Sequence, residues 1–327
     1  MTFRLFDLKP CQAPSWARGG HGQTLWNFCL PNLNVEIQHE KILLSLPDKD
    51  QLALLYTEGC SDIVVYLFHG LSGGATSDYM MRMAQIAIAR GHSVYRVNHR
   101  GCGDGVGLAR LPYHSGRGDD ISEVLAYGRL KHPKKQHIAI GFSLSGNALL
   151  TLLTGLKGSV LPDAAISVNA PIDLAAASDK LKLGLNRLYD WYFVGRLRRA
   201  IAAQYQHGHL VDKVIVPRLS TLRQLDSLYT APQCGFESAE DYYQQCSTHP
   251  YLSQITIPTI LLTAHDDPFI PVESYLSAQL SATTQLHIEP SGGHLGYLSR
   301  TKTPLGSYRW LDYALCQCLQ ELTDEQF

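Results

Sequence analysis

The sequence predicts an α/β protein built on a mostly parallel, doubly wound sheet of eight strands with an inserted helical cap. Three observations lead there. Short apolar runs rich in Val and Ile recur along the chain, segments with apolar residues at helical spacing separate them, and the alternation breaks once. Continuous apolar runs suit parallel strands buried on both faces, and amphipathic segments between them suit crossover helices.

Taken in order, a polar N-terminal arm precedes two β-prone runs, Val35 to Leu46 and Gln51 to Tyr56. The turn-forming residues Pro47 to Asp50 separate them, which predicts an antiparallel hairpin. Six further strands are expected at Ile63 to Phe68, Ser93 to Val97, His137 to Ile140, Ala165 to Val168, Thr259 to Thr263 and Gln285 to Ile288. The helices between and after them are expected at Asp78 to Arg90, Asp119 to Leu130, Ser145 to Leu156, Val272 to Leu280 and Ser307 to Leu322. Between Pro171 and Pro258, about 80 residues separate two strands that a dozen could join. Helical stretches Leu174 to Leu185, Arg187 to Gln204, Thr221 to Tyr229 and Ala239 to Cys246 fill this gap. The expected division is therefore residues 1–170 and 253–327 as the two parts of one core, with residues 171–252 as a cap over the C-terminal edge of the sheet, where open α/β sheets bind ligands.

Bulk composition narrows the classes of function. A chain of 327 residues, 45% of them hydrophobic, can bury one large core. Its 28 basic and 29 acidic side chains nearly cancel, so the electrostatic drive for nucleic-acid binding is missing and no such partner is expected. The eight cysteines lack the paired spacing of a zinc site and read as reduced thiols, so neither metal nor disulfide framework is expected. The segment Met1 to Gly20 lacks a signal-peptide core, and no stretch offers the roughly 18 apolar residues of a membrane span. A soluble, cytoplasmic protein is the expectation.

The strongest chemical feature is His137 to Asn147, a buried-type strand running through Gly141-Phe-Ser143-Leu-Ser145-Gly146 into a helix. A tight strand-to-helix turn of this kind exposes a nucleophile, here Ser143, and aims the free N–H groups of the helix at developing negative charge. The motif is G-x-S-x-S, because Ser145 occupies the position usually held by a second glycine.

A serine hydroxyl needs a base, and the base needs an orienting group. The strand from Thr259 ends in Asp266-Asp267-Pro268. Asp267, held extended before proline, is the candidate acid, while Asp266 suits a turn cap. The next strand ends in a glycine-flanked loop bearing His294, the candidate base, so serine, aspartate and histidine follow in the chain order of an exposed-serine hydrolase. For the oxyanion hole, His69-Gly70-Leu71-Ser72-Gly73-Gly74 follows the first parallel strand, and the backbone N–H groups of Leu71 and Leu144 are the candidate donors.

Other features carry less. Asn98 to Gly103 is glycine-rich but has neither the order nor the lysine of a phosphate cradle, and reads as a structural loop. Cys316 and Cys318 sit in a helical segment without partner ligands. The basic stretch Gly195 to Arg199, with Lys180, Lys182 and Arg187, reads as a solvated helix face ahead of a lipid-facing one.

Together with Arg18 to Leu25, His69-Gly70, Asn98 to Gly103, Gly235 to Tyr243 and Asp266 to Phe269, the elbow resembles the YheT-like branch of the α/β-hydrolases, which includes abhydrolase-domain lipases and esterases. The resemblance spans nearly the whole chain. It implies the α/β-hydrolase fold, a Ser143, Asp267 and His294 triad, no cofactor, and a role in lipid metabolism. The implied substrates are carboxylic esters, either short-chain esters or monoacylglycerols, with peripheral membrane contact open. Two other readings stay open from the residues: a weakly active or inactive hydrolase fold that binds a small molecule, favoured by Ser145, and an amidase or peptidase with the same triad. Neither oligomeric state nor acyl-chain length follows from one sequence.

Overall fold

The computed structural model describes residues 8–30, 36–210 and 214–324. Eight strands form one sheet: β1 (Glu40–Ser45), β2 (Gln51–Thr57), β3 (Ile63–Phe68), β4 (Ser93–Asn98), β5 (Gln136–Phe142), β6 (Ala164–Val168), β7 (Thr259–Ala264) and β8 (Thr284–Glu289). Their order is β1-β2-β4-β3-β5-β6-β7-β8. The pairings β1–β2 and β2–β4 are antiparallel, and every pairing from β4 to β8 is parallel. The expected strands are all present, most extended by a residue or two. The hairpin's first strand starts at Glu40, and Val35 lies outside the described residues.

Parallel strands need long connections, and helices supply them. Helix α1 (Gly19–Cys29) precedes the sheet; α2 (Asp78–Ala89) joins β3 to β4, α3 (Gly118–Lys131) joins β4 to β5, and α4 (Leu144–Leu153) joins β5 to β6. Alternate side chains of β3 divide between two cores. Val65 and Leu67 pack with Met80 and Met83 of α2, whereas Val64, Tyr66 and Phe68 pack with Leu149 and Leu152 of α4.

Between β6 and β7 lie α5 (Leu174–Leu181), α6 (Arg187–Gln206), α7 (Leu222–Leu225), α8 (Ala231–Cys234) and α9 (Ala239–Cys246). This stretch builds small apolar clusters of its own, such as Val194, Ile201, Leu225 and Tyr229. The helix expected over Thr221 to Tyr229 is α7 followed by a π-helical turn, Asp226–Thr230. After β7 come α10 (Val272–Leu276) and, beyond β8, α11 (Trp310–Asp324), which packs against the same sheet face as α2.

The helix expected over Val272 to Leu280 ends at Leu276, and the expected N-terminal arm needs correction. Where the sequence predicts a polar arm, the described part holds a 3-10 turn, Ser15–Ala17, and the eleven-residue helix α1. Its start is rich in glycine and much of its apolar surface faces outward, so helical periodicity does not announce it. Among the described residues, no helix is long and apolar enough to cross a membrane.

Candidate active site

The C-terminal ends of β5, β7 and β8 bring three side chains together. Ser143 sits at the N-cap of α4 with φ 53° and ψ −121°, outside the conformations a residue with a Cβ prefers. The turn is fixed on both sides: Ser143 N–H donates to Val168 O at 2.7 Å, and Gly146 N–H donates to Ser143 O at 2.8 Å. From this elbow, Ser143 Oγ lies 2.8 Å from His294 Nε2. His294 Nδ1 lies 2.8 Å from Asp267 Oδ2. An ionised carboxylate only accepts, so Nδ1 carries the proton and Nε2 is left to accept from the serine hydroxyl.

The two aspartates divide the work of holding this histidine. Asp267 is 1% exposed, and its Oδ1 accepts from the backbone N–H groups of Phe269 and Ile270, both at 3.0 Å. Its Oδ2 also accepts from Asn169 Nδ2 at 2.7 Å. Asp267 therefore caps the turn as well as touching the imidazole. Asp266, the expected turn cap, instead accepts from Ser291 Oγ and from the N–H groups of Gly292 and Gly293, which ties down the loop bearing His294.

Helix α1 braces the same loop from the other side. His294 N–H donates to Thr24 Oγ1 at 2.9 Å, and the Gln23 amide donates to Ala17 O and Leu298 O. Gly20 is packed so closely against Asp266 that a Cβ there would overlap its carbonyl oxygen. Thr24, Gln23 and Asn169 are site residues that reasoning from sequence missed. The glycine-rich segment from Arg18 was the available signal for the first two, and nothing in the local pattern pointed to Asn169.

Leu71 and Leu144 flank Ser143. Gly70 makes this possible, because a Cβ at that position would lie 3.0 Å from Ser143 Cβ and 3.2 Å from Phe142 O. Gly70 N–H is already committed to Tyr79 Oη at 2.9 Å. Among the described residues, the N–H groups of Leu71 and Leu144 have no hydrogen-bond acceptor and are available to a ligand. Burial pushes the His69 imidazole down to about 4, with its hydrogen bond to Gly70 opposing. This neutral ring accepts from His99 N–H at its Nε2 and so donates from Nδ1 to Gly70 O at 2.8 Å.

Ser145 lies in the first turn of α4 with ordinary helical backbone, its side chain fully buried. Its hydroxyl has three partners: His99 Nε2 at 2.6 Å, Tyr113 Oη at 2.8 Å and the His69 carbonyl. Only an acceptor is present at His69, so Ser145 donates there and accepts from the other two. Within Asn98 to Gly103, Arg100 is buried among Asp48, Asp50 and Asp120, while Gly103 borders the cavity at Ser143.

Two cavities meet at Ser143. One, of about 490 Å³, is bordered by Phe28 of α1 and Tyr192 and Arg196 of α6, with His294 on its floor. The other, of about 80 Å³, runs between Leu71, Leu144, Leu174, Phe193 and Ile270, and reaches Asp226. Among the described residues, no cluster of His, Cys, Asp and Glu has the arrangement of a metal site.

Comparison with known proteins agrees with the architecture. The family described as "alpha/beta hydrolase fold" matches residues 63–301. YheT of Escherichia coli (strain K12), a candidate esterase, is 33% identical over 282 residues, covering 82% of this chain and 81% of its own. Human phospholipase ABHD3 is 26% identical, covering 86% of this chain and 72% of its own. The monoacylglycerol lipase of Saccharomyces cerevisiae (strain ATCC 204508 / S288c) is 26% identical, covering 80% of this chain and 60% of its own.

Proposed function

Since the chain belongs to the α/β-hydrolase family, in the branch that contains YheT, we propose that it is a serine hydrolase cleaving carboxylic esters through an acyl-enzyme on Ser143. The observation that carries this reading is the unbroken contact from Ser143 Oγ through His294 to Asp267.

In the proposed reaction, His294 Nε2 takes the Ser143 proton as the oxygen attacks the ester carbonyl, and Asp267 stabilises the imidazolium that forms. The N–H groups of Leu71 and Leu144 receive the oxyanion, a contribution of a few kcal/mol per donor. His294 then protonates the leaving alcohol, and a water molecule repeats the sequence on the acyl-enzyme. The residues need no cofactor for these steps.

The helical insertion, residues 171–252, acts as a cap on a core made of residues 1–170 and 253–327. It supplies Leu174, Phe193 and Asp226 to the narrow cavity, which suits a short acyl chain. The wider cavity takes the alcohol portion, either a simple alcohol or glycerol as in a monoacylglycerol. Relatives named for phospholipase and monoacylglycerol lipase activity support a lipid-derived ester. Ser145, the feature that favoured a non-catalytic binder, keeps helical backbone and leaves the elbow intact, so it no longer argues for that alternative.

The test is hydrolysis of a short-chain p-nitrophenyl ester, with labelling by a fluorophosphonate. Wild type is expected to turn over and to label stoichiometrically, and Ser143→Ala to do neither; equal rates for the two proteins refute the assignment.

A further inference from the structure

Helices α1 and α6 form the two lips of the wider cavity, and both present large apolar side chains outward. They are joined at His21 and Tyr189, whose rings stack at 5.7 Å and whose polar atoms lie 3.2 Å apart. On α1, Phe28 is 68% exposed and Leu25 53%. On α6, Leu188 is 64% exposed, Trp191 53% and Tyr192 48%. Phe28 and Tyr192 border the cavity itself, and Leu25, Leu188 and Trp191 extend the apolar surface along the same two helices. Isolated exposed apolar residues are ordinary, but a group of this size marks a contact surface.

Charge says what kind of contact. The chain as a whole is nearly neutral, yet residues 180–218 hold eight Lys and Arg against two Asp. One of those, Asp190, is buried. Helical spacing puts Leu188, Trp191 and Tyr192 in line with Arg198 and Arg199, giving α6 a stripe that is apolar at one end and basic at the other. Arg198, Arg199 and Arg218 are exposed, form no ion pair among the described residues, and border a shallow depression together with Trp191 and Tyr192. Aromatic rings beside unpaired guanidinium groups suit the boundary of a bilayer that carries negative headgroups.

We infer that the α1 and α6 lips dock on an anionic lipid surface, so that the cavity above Ser143 opens toward the membrane. The occupant is a bilayer rather than a protein, because the surface combines apolar side chains able to enter acyl chains with several unpaired cations and no exposed acid on α6. An ester dissolved in that bilayer would reach Ser143 past Phe28 and Tyr192 without crossing bulk water. The docking itself does not depend on the reaction proposed for Ser143.

The experiment uses the full chain carrying Ser143→Ala, so turnover cannot alter the lipid. It is sedimented with vesicles of phosphatidylcholine alone and of phosphatidylcholine mixed with phosphatidylglycerol. The mixed vesicles are expected to carry the protein down, and added salt to release it. Arg198→Gln with Arg218→Gln is expected to lower the partition coefficient roughly 25-fold, from a factor of about five per basic side chain. Trp191→Ser is expected to weaken binding as well. Lys131→Gln with Lys134→Gln, exposed at the opposite end of β5 from Ser143, is the control and is expected to bind like the parent. Three outcomes overturn the inference: protein left in solution with both vesicles, equal loss in both paired variants, or a dimer in solution that Trp191→Ser dissociates, which would make a second copy the occupant.

Discussion

Asp266 and Asp267 are neighbours in the chain and serve His294 from two directions: Asp267 Oδ2 meets the ring at Nδ1, while Asp266 Oδ1 holds the N–H groups of Gly292 and Gly293 just before it. Different consequences follow from removing each charge. Asp267→Asn leaves His294 in the wrong tautomer and is expected to lower kcat by about 10⁴, since an amide donates where a carboxylate accepts. Asp266→Asn loosens only the loop, and a loss nearer 10² is expected from misplacement of the base. Steady-state kinetics on a soluble ester distinguish the two; an equal loss in both variants would contradict this division.

Gly70→Ala places a methyl group 3.0 Å from Ser143 Cβ, where one of the two backbones must shift. The expected result is a fall in kcat of about 10² with a near-normal melting temperature, because the shift displaces the Leu71 N–H from the oxyanion rather than opening the core. A variant with wild-type kcat would remove the 70–71 turn from the reaction.

Ser145→Ala removes a hydroxyl that three buried groups use, His99 Nε2, Tyr113 Oη and the His69 carbonyl. Leaving them without a partner is expected to cost about 1–3 kcal/mol in denaturant unfolding. Activity should fall too, because the His69 carbonyl directly precedes Gly70 and Leu71. A variant as stable as the parent would show that the network is dispensable.

Thr24→Val keeps the volume of the α1 side chain and deletes the acceptor for His294 N–H. The expected effect is a drop in kcat with little change in KM, since the base is displaced while the cavity walls stay in place. An unchanged kcat would limit α1 to a packing role.

Burial raises the Asp226 carboxyl from an ordinary 3.8 to about 6, against the hydrogen bonds it receives from Thr230 and Tyr243. The folded protein therefore holds this proton more tightly than the unfolded chain. Its contribution to stability is full below the unfolded value and is lost as pH rises through the folded one. Asp226→Asn should flatten the stability profile between about pH 4 and 6, by no more than about 3 kcal/mol. Chemical denaturation across that range measures it, and parallel profiles for the two proteins would contradict the assignment.

The sheet was legible because its parallel strands are apolar on both faces, a pattern that survives without knowledge of neighbours. The meeting of Ser143, Asp267 and His294 was also legible, since each ends a separate strand in the expected chain order. What escaped depends on contacts across long separations. Thr24 reaches His294 over 270 residues, and α1 buries polar Gln23, Thr24 and Asn27 while exposing Leu25 and Phe28, the reverse of an amphipathic signal. Asn169 is a single amide just past β6, and only the folded sheet sets it beside Asp267. The double duty of Asp267 escaped for a similar reason, because a turn cap and an imidazole partner look alike in sequence.

Ser143 holds a positive-φ backbone that disfavours any residue with a side chain. A side chain held at φ 53° and ψ −121° raises the energy of the native state by about 1–3 kcal/mol, which glycine at the same place would largely relieve. Selection for heat tolerance alone would therefore draw residue 143 toward glycine and erase the hydroxyl. On the nucleophilic role proposed for Ser143, the fold trades thermal endurance for a hydroxyl at this single residue.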